Sequence, residues 1–292
     1  MGHEINAIYT IENAGNGYTA VLNDPTDDNY VGLMTDLKGV WPGIRGGDSS
    51  RSAGNGAQRG VRKRSARKWM ATGVIEAWPP TTRNERIDRL TLACDALDDD
   101  ATIKWTDASG IDKQIMYLRL GDEHDVTGGM PKDCLFALDS TDYRVFSQEL
   151  HEESATFEAL SSGGVIFPIV FPVVFGAGVL TAQMTVTNAG NQPTPPIVRI
   201  DGPALNPRVY NATVDAFMVI DYDIPAGEYI TIDRYADYPV TLNGSGNIYR
   251  AFDEVNSEWW ELAPGDNDIR LYCDSFSDGS GATVYWRDGY LS

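Results

Sequence analysis

The sequence contains few of the residues from which disulfides, metal sites and catalytic centres are built. Its 292 residues include only three histidines and three cysteines. Cys94, Cys134 and Cys273 are far apart and odd in number, which argues against a disulfide framework or a paired-cysteine zinc site. We expect buried, reduced thiols and neither a metal nor another cofactor.

Long apolar runs are also absent. The longest, Val165 to Phe175, contains two prolines and is well short of the roughly 20 residues that a membrane helix needs. Met1 to Tyr9 lacks the basic start and apolar stretch of a secretory signal. We therefore expect no membrane insertion, no secretory signal and synthesis in a cytoplasm.

Positive charge is scarce, with 23 lysines and arginines against 42 acidic residues and a formal net charge of -19. Affinity for nucleic acids and anionic membranes depends largely on lysine and arginine. Neither is expected as a partner. Hydrophobic residues at 42% and charged residues at 22% are typical of a folded globular protein.

One segment, Gly43 to Lys68, reverses this charge balance. It holds six glycines and eight basic residues against the single acid Asp48, so it carries +7 and leaves -26 for the rest of the chain. This composition predicts a long, mobile loop. Three interpretations stay open: a solvated loop without a partner, docking onto another subunit, and, least favoured, nucleic acid binding. The candidate docking residues are Arg62, Lys63, Arg64, Arg67 and Lys68.

The chain as a whole reads as mainly β. Glycines and prolines punctuate short segments rich in valine, isoleucine, threonine and tyrosine, and apolar and polar residues alternate in several of them, as in sandwiches or barrels. The clearest are Lys68 to Ala77, Ala101 to Thr106, and Lys113 to Leu120. One helix is predicted from the three- and four-residue spacing between Ile87 and Leu97, with Thr82 and Glu85 as a capping box.

A domain boundary is predicted near residue 157. Leu150 to Gly164 is acidic and then turns to serine and glycine, and after residue 157 there is no lysine. The predicted domains are residues 1–157, with the helix and the basic loop, and residues 158–292. Both are expected to be β-sandwich-like.

The sequence offers little for catalysis. The most polar cluster, Gly121 to Asp125, surrounds His124, which could bind a metal or act as a base, but no second histidine or cysteine lies at a ligand spacing. We favour a solvated turn there, as we do for Asp98, Asp99 and Asp100 after the helix. No Gly-x-Ser-x-Gly elbow or phosphate-binding loop is apparent. We expect no enzyme activity.

The order of elements in the second half resembles the distal tail proteins of siphoviruses, the long-tailed bacteriophages with non-contractile tails. The landmarks occur in order and span about 120 residues. They are the Phe- and Pro-rich Phe167 to Phe175, Asn188-Ala189-Gly190 before Pro195-Pro196-Ile197, Ile200-Asp201-Gly202-Pro203 followed by Pro207, Gly227 to Asp233, Val240 to Gly244, and Glu258 to Asn267. The first half agrees more loosely, through its basic loop, the strand Trp69 to Ala77 and the helix Glu85 to Leu97.

The resemblance implies a structural virion protein at the phage tail tip, or baseplate, made in the host cytoplasm. It implies that the first domain forms a homohexameric ring and that the second is galectin-like. The expected partners are other copies of the chain, the tail tube protein, the tail tip hub protein and other minor tail proteins.

The alternative function is a lectin-like module that binds a host-surface glycan, since sugar faces stack on indole rings. Its candidate residues are Trp259, Trp260 and Trp286. Core or interface packing is the competing interpretation for all three, and fold analogy alone does not establish sugar binding.

Overall fold

The computed structural model describes residues 7–38, 42–47, 49–50, 57–58, 60–97, 100–121, 125–127, 132–157, 181–277 and 279–291. They form two compact units, Met1–Glu149 with Tyr290–Ser292, and Leu150–Gly289. The predicted strand around Val165 to Phe175, the carboxylates Asp98 and Asp99, and His124 lie outside the described residues.

In its described residues, the first unit is built from β-strands and one helix. In chain order its strands are β1 (Tyr9–Asn13), β2 (Thr19–Leu22), β3 (Tyr30–Lys38), β4 (Ile44–Arg45), β5 (Ser49–Ser50), β6 (Ala57–Gln58), β7 (Lys63–Arg64), β8 (Arg67–Ile75), β9 (Ala101–Thr106), β10 (Asp112–Leu120), β11 (Asp125–Thr127), β12 (Lys132–Ser140) and β13 (Val145–Ser147). The helix α1 (Pro80–Cys94) lies between β8 and β9.

The main sheet of this unit closes on itself. Its order runs β12-β8-β3-β2-β1-β9-β10, and β10 also pairs with β12 through Leu118 opposite Ser140. Among these seven strands of the described chain, β2 and β3 are the one pair that is parallel. Closure leaves no free edge on these strands, and their inward-facing residues form one core with the buried side of α1.

The helix begins earlier than predicted. Pro80 is its first residue and Pro79 its N-cap, with no side-chain capping bond, so Thr82 and Glu85 lie inside the helix and the predicted capping box is wrong. Proline suits this position because the first turn needs no intrahelical N–H donor. The buried face holds Leu90, Ala93 and Cys94, but Leu97 lies beyond the helix and is exposed.

The described part of the second unit contains three antiparallel sheets. Its strands are β14 (His151–Thr156), β15 (Thr181–Asn188), β16 (Ile197–Asp201), β17 (Ala204–Leu205), β18 (Arg208–Asn211), β19 (Ala216–Val219), β20 (Asp223–Ile224), β21 (Tyr229–Asp233), β22 (Val240–Leu242), β23 (Gly246–Asn247), β24 (Gly265–Tyr272), β25 (Ser275–Phe276) and β26 (Gly281–Trp286). A single 3₁₀ turn, Tyr249–Ala251, is also present among the described residues of this unit. The last strand, β27 (Gly289–Tyr290), follows β13 in the strand order of the first unit's sheet.

The two larger sheets of this unit form a β-sandwich. The orders are β14-β26-β16-β21-β22-β23 and β15-β24-β18-β19, with a smaller sheet β20-β17-β25. Alternate residues of both large sheets are buried in one hydrophobic core, as in Ile197–Asp201 and Gly265–Tyr272. The mainly β prediction is confirmed, whereas the galectin-like character of this unit stays a prediction.

The units divide a few residues before the predicted boundary at residue 157. His151–Thr156 pairs along its whole length with Gly281–Trp286, so this strand belongs to the second unit. Its sequence, His-Glu-Glu-Ser-Ala-Thr, is too polar to be recognised as part of a sandwich.

Candidate assembly residues and aromatic sites

The basic segment contains paired strands rather than an unstructured loop. Ile44 and Arg45 pair with Arg64 and Lys63, and further out Ser49–Ser50 pairs with Ala57–Gln58. We call the described residues of this segment, 42–47, 49–50, 57–58 and 60–66, the basic ribbon. Gly46 adopts φ +99°, and a Cβ there would stand 2.3 Å from the carbonyl oxygen of Val61. The close approach of the backbone at these two residues therefore requires glycine at position 46.

The ribbon presents basic and apolar side chains together. Arg62, Lys63 and Arg64 are all exposed. Ile44 and Val61 are 67% and 79% exposed, so apolar area is accessible beside the basic side chains. The Arg64 guanidinium lies 6.0 Å from the centre of the Tyr143 ring. Three of the five predicted docking residues are therefore accessible in the described chain.

Arg67 is not accessible, which corrects its prediction as a docking residue. Its side chain is 1% exposed, and its Nε and Nη2 donate to the carbonyl oxygen of Tyr143 at 3.1 and 2.9 Å. Nη2 also donates to the carbonyl oxygen of Leu291 at 2.6 Å. Burial lowers the pKa of Arg67 to about 10, although the Asp142 carboxylate opposes this shift. Lys68, the fifth candidate, is half-buried on β8.

A second buried cation lies in the same unit. Lys113 Nζ stands 2.7 Å from Asp107 Oδ2 and 4.9 Å from the centre of the Tyr290 ring. Burial would raise the pKa of Asp107, but hydrogen bonds from Lys113 and from the backbone N–H groups of Ile111 and Ser109 lower it below its usual value. Both Arg67 and Lys113 thus contact the short segment that begins at Tyr290.

Two of the three candidate glycan-binding tryptophans are core residues. Trp260 and Trp286 are 4% and 7% exposed, so they are corrected to packing residues. Trp286 Nε1 donates to the carbonyl oxygen of Thr187 at 3.1 Å, whereas Trp260 Nε1 has no hydrogen-bond partner among the described residues. Trp259 is half-buried and stacks on Phe252 with ring centres 4.7 Å apart.

An aromatic cluster that sequence reasoning missed lies on the outer side of the four-stranded sheet. Tyr210, Phe217 and Tyr272 come from β18, β19 and β24, and we call this group the aromatic face. Tyr210 and Phe217 are opposite each other in register and stack at 4.3 Å, and each lies within 6.4 Å of Tyr272. The alternation of buried Ala216 and Met218 around Phe217 is the signal that could have revealed it.

Charged side chains border the aromatic face. Arg270 Nε donates to Asp268 Oδ2 at 3.1 Å, and Gln183 Nε2 donates to Asp268 Oδ1 at 2.9 Å. Tyr210 donates from its hydroxyl group to Asp215 Oδ1 at 2.8 Å, and this hydrogen bond raises the pKa of Tyr210. Asp268 holds the pKa of Arg270 above its usual value.

The described residues contain no cluster suited to metal binding. No group of three or more histidine, cysteine and acidic side chains comes together in this part of the chain. All three cysteines are unpaired, and burial raises the pKa of Cys94 to about 12 and of Cys134 to about 11, so neither forms a reactive thiolate at neutral pH. Nor, in the same residues, is any helix long and apolar enough to cross a membrane.

The second unit carries a domain of phage tails. Residues 189–290 match the family described as siphovirus-type tail component, C-terminal domain. The resemblance predicted from the sequence is thereby confirmed for this region, which matches that family model. A search of curated proteins finds no significant match.

Solved structures extend the likeness to nearly the whole chain. The crystal structure of the SPP1 Dit (gp 19.1) protein, described as a paradigm of hub adsorption apparatus in Gram-positive infecting phages, matches with a TM-score of 0.62 and 14% identity over 96% of this chain and 98% of that one. The phage P2 baseplate in its activated conformation with Ca matches with a TM-score of 0.52 and 10% identity, over 96% and 97%. At these identities the likeness establishes a shared fold.

Proposed function

We propose that this protein is the distal tail protein of a siphovirus, a structural virion component that forms a homohexameric ring between the tail tube and the tail tip hub. The observation that carries the proposal is the tail-component match of residues 189–290, supported by the fold shared with SPP1 Dit over 96% of the chain. The family is one of tail components rather than enzymes. The partners are other copies of the chain, the tail tube protein, the hub and other minor tail proteins, at the tail tip of the virion.

The basic ribbon is the proposed docking element between neighbouring copies. Its exposed Arg62, Lys63 and Arg64 extend from a chain that is otherwise strongly acidic, so another copy offers a surface of opposite charge. The exposed Ile44 and Val61 supply apolar area that a neighbour can cover. Charge pairing of this kind fixes register in a ring more than it adds affinity.

The mass of the purified full chain tests ring formation. A hexamer of 32.0 kDa chains has a mass of about 192 kDa, which light scattering distinguishes from a monomer or dimer. We expect the larger species at low ionic strength, with its share decreasing as salt screens the charge contacts. A chain that stays monomeric both alone and with purified tail tubes would contradict the ring.

A triple substitution tests the ribbon. Replacing Arg62, Lys63 and Arg64 by serine is expected to impair tail assembly without changing the melting temperature, because all three side chains are exposed. The matched control replaces three exposed arginines outside the ribbon, Arg119, Arg234 and Arg250, so it removes the same charge. Normal virion yield from the ribbon variant, or an equal loss in the control, would refute the docking role.

Recognition of a host-surface glycan is retained as a second candidate function of the second unit. Trp260 and Trp286 no longer support it, because both are buried. The observation that favours it is the aromatic face, where three partly exposed rings stand beside fixed polar groups.

A further inference from the structure

The aromatic face is more exposed than a purely structural ring cluster needs to be. Phe217 is 37% exposed, and Tyr210 and Tyr272 are partly exposed on the solvent side of a sheet whose other side is packed in the core. A cross-strand pair accounts for the stack of Tyr210 on Phe217. Tyr272 comes from the strand on the other side of Tyr210, and it widens the pair into an apolar platform.

The polar side chains around this platform are held in place by one another. Asp268 accepts hydrogen bonds from Gln183 and Arg270, and Asp215 accepts one from Tyr210. The Asp268 carboxylate has about four lone-pair sites, and Gln183 and Arg270 already occupy them. Asp215 accepts only one of these hydrogen bonds, and Arg270 has five N–H donors, of which Asp268 takes two, so these two groups retain capacity for a ligand. Aromatic side chains with a few fixed donors and acceptors are also the residue types that line small-molecule sites.

Asp215 is positioned by the turn between β18 and β19. It adopts φ +57°, a left-handed conformation that non-glycine residues rarely adopt, although aspartate tolerates it better than most. The turn brings the carboxylate against the Tyr210 hydroxyl group at the border of the platform. A cross-strand ring pair does not need this contact, whereas an oriented polar group beside a ligand does.

The excess of acidic residues in the second unit favours neutral ligands over anionic ones. Between Leu150 and Gly289 there are six arginines and no lysine, against 19 acidic residues. Nucleic acids and other phosphate-rich polymers would be repelled. A protein partner is disfavoured because aspartate is depleted in protein interfaces. Here Asp215 accepts from the Tyr210 hydroxyl group, and Asp268 holds Arg270, the residue opposite Tyr210 in register.

We propose that the outer side of the sheet β15-β24-β18-β19 binds a neutral saccharide, whose C–H faces stack on Phe217 and Tyr272 while Arg270, held by Asp268, and Asp215 hydrogen-bond its hydroxyl groups. The inference rests on the second candidate function and names its site and ligand class. It makes no use of Trp259, Trp260 or Trp286.

The test is a printed array of neutral hexose and N-acetylhexosamine oligosaccharides, with sialylated and phosphorylated glycans alongside, probed with the full chain. We expect binding confined to neutral glycans. Phe217→Thr and Tyr272→Thr, which keep a residue favoured in strands, should each raise Kd by about tenfold or more. Tyr229→Thr is the matched control, because Tyr229 lies on the other large sheet, beneath Arg199.

A second variant and a set of contrary outcomes complete the test. If a ring variant has a lowered melting temperature, Gln183→Ala removes only an exposed amide that steadies Asp268, and it should still weaken binding. Failure of the wild-type chain to bind any neutral glycan, a preference for anionic glycans, or equal loss in Tyr229→Thr would overturn the proposal. Light scattering gives the mass of each variant in solution, so a loss of glycan binding can be distinguished from a failure to form the ring.

Discussion

Replacing the buried Arg67 tests whether this arginine stabilises the fold, unlike the exposed basic side chains proposed to dock onto a neighbouring subunit. Replacing it by methionine, of similar length, removes the three hydrogen bonds to the carbonyl oxygens of Tyr143 and Leu291. Each carbonyl then loses a charge-assisted donor, at about 1–3 kcal/mol apiece, and the buried Asp142 loses a nearby positive charge. Part of this loss of stability is offset, because the methionine variant no longer buries a charged group.

We therefore expect Arg67→Met to lower the free energy of unfolding of the first unit by about 3 kcal/mol. For a unit of this size that corresponds to a melting temperature lower by roughly 6–12 °C. Differential scanning calorimetry of the full chain measures it, with Arg62→Met as the matched exposed control, expected to stay within about 0.5 kcal/mol. Arg67→Lys should be intermediate, because an ammonium group lacks the forked geometry. A melting temperature of Arg67→Met within about 2 °C of wild type would refute this reasoning.

Two other pairs of groups give further predictions. Trp286→Phe should lower the free energy of unfolding by about 1–3 kcal/mol more than Trp260→Phe, because only Trp286 Nε1 has a hydrogen bond to lose, to Thr187; equal losses in urea unfolding would contradict this. Asp107 has a lowered pKa, so its interaction with Lys113 stabilises the fold above about pH 4 and is lost as the pH falls through the folded-state pKa. The stability difference between wild type and Asp107→Asn should therefore shrink from pH 6 to pH 2.5 in urea titrations, and a constant difference would contradict the linkage.

The strands were predictable because alternation is a local property. Arg67–Ile75 and Ala101–Thr106 show the period-two burial that the sequence indicates. The helix was predictable only in part. Its buried face follows from apolar spacing, but its start depends on Pro79 and Pro80, which precede the apolar pattern and fix the first turn.

The candidate sites were harder to predict, since their members are distant in the sequence. Arg67 donates hydrogen bonds to carbonyl groups of residues 76 and 224 positions away in the sequence. Composition cannot reveal such contacts. Trp259 and Trp260 are adjacent and neither lies in a strand, so strand alternation could not predict that Trp260 is buried and Trp259 half-buried. The aromatic face draws one ring from each of three strands, so it exists only after the sheet has formed.

Strand geometry explains why one basic segment contains residues of two kinds. In β8 every second residue from Arg67 onward faces the core, so Arg67 is buried in the same row as Trp69. The short pairing of β4 with β7 has both strands exposed, so consecutive residues such as Lys63 and Arg64 all reach solvent. The position in the fold, not the local density of charge, therefore separates cations that stabilise the unit from cations available to a neighbour. This division requires two results together. The ribbon triple variant should impair tail assembly with an unchanged melting temperature, and Arg67→Met should lower the melting temperature.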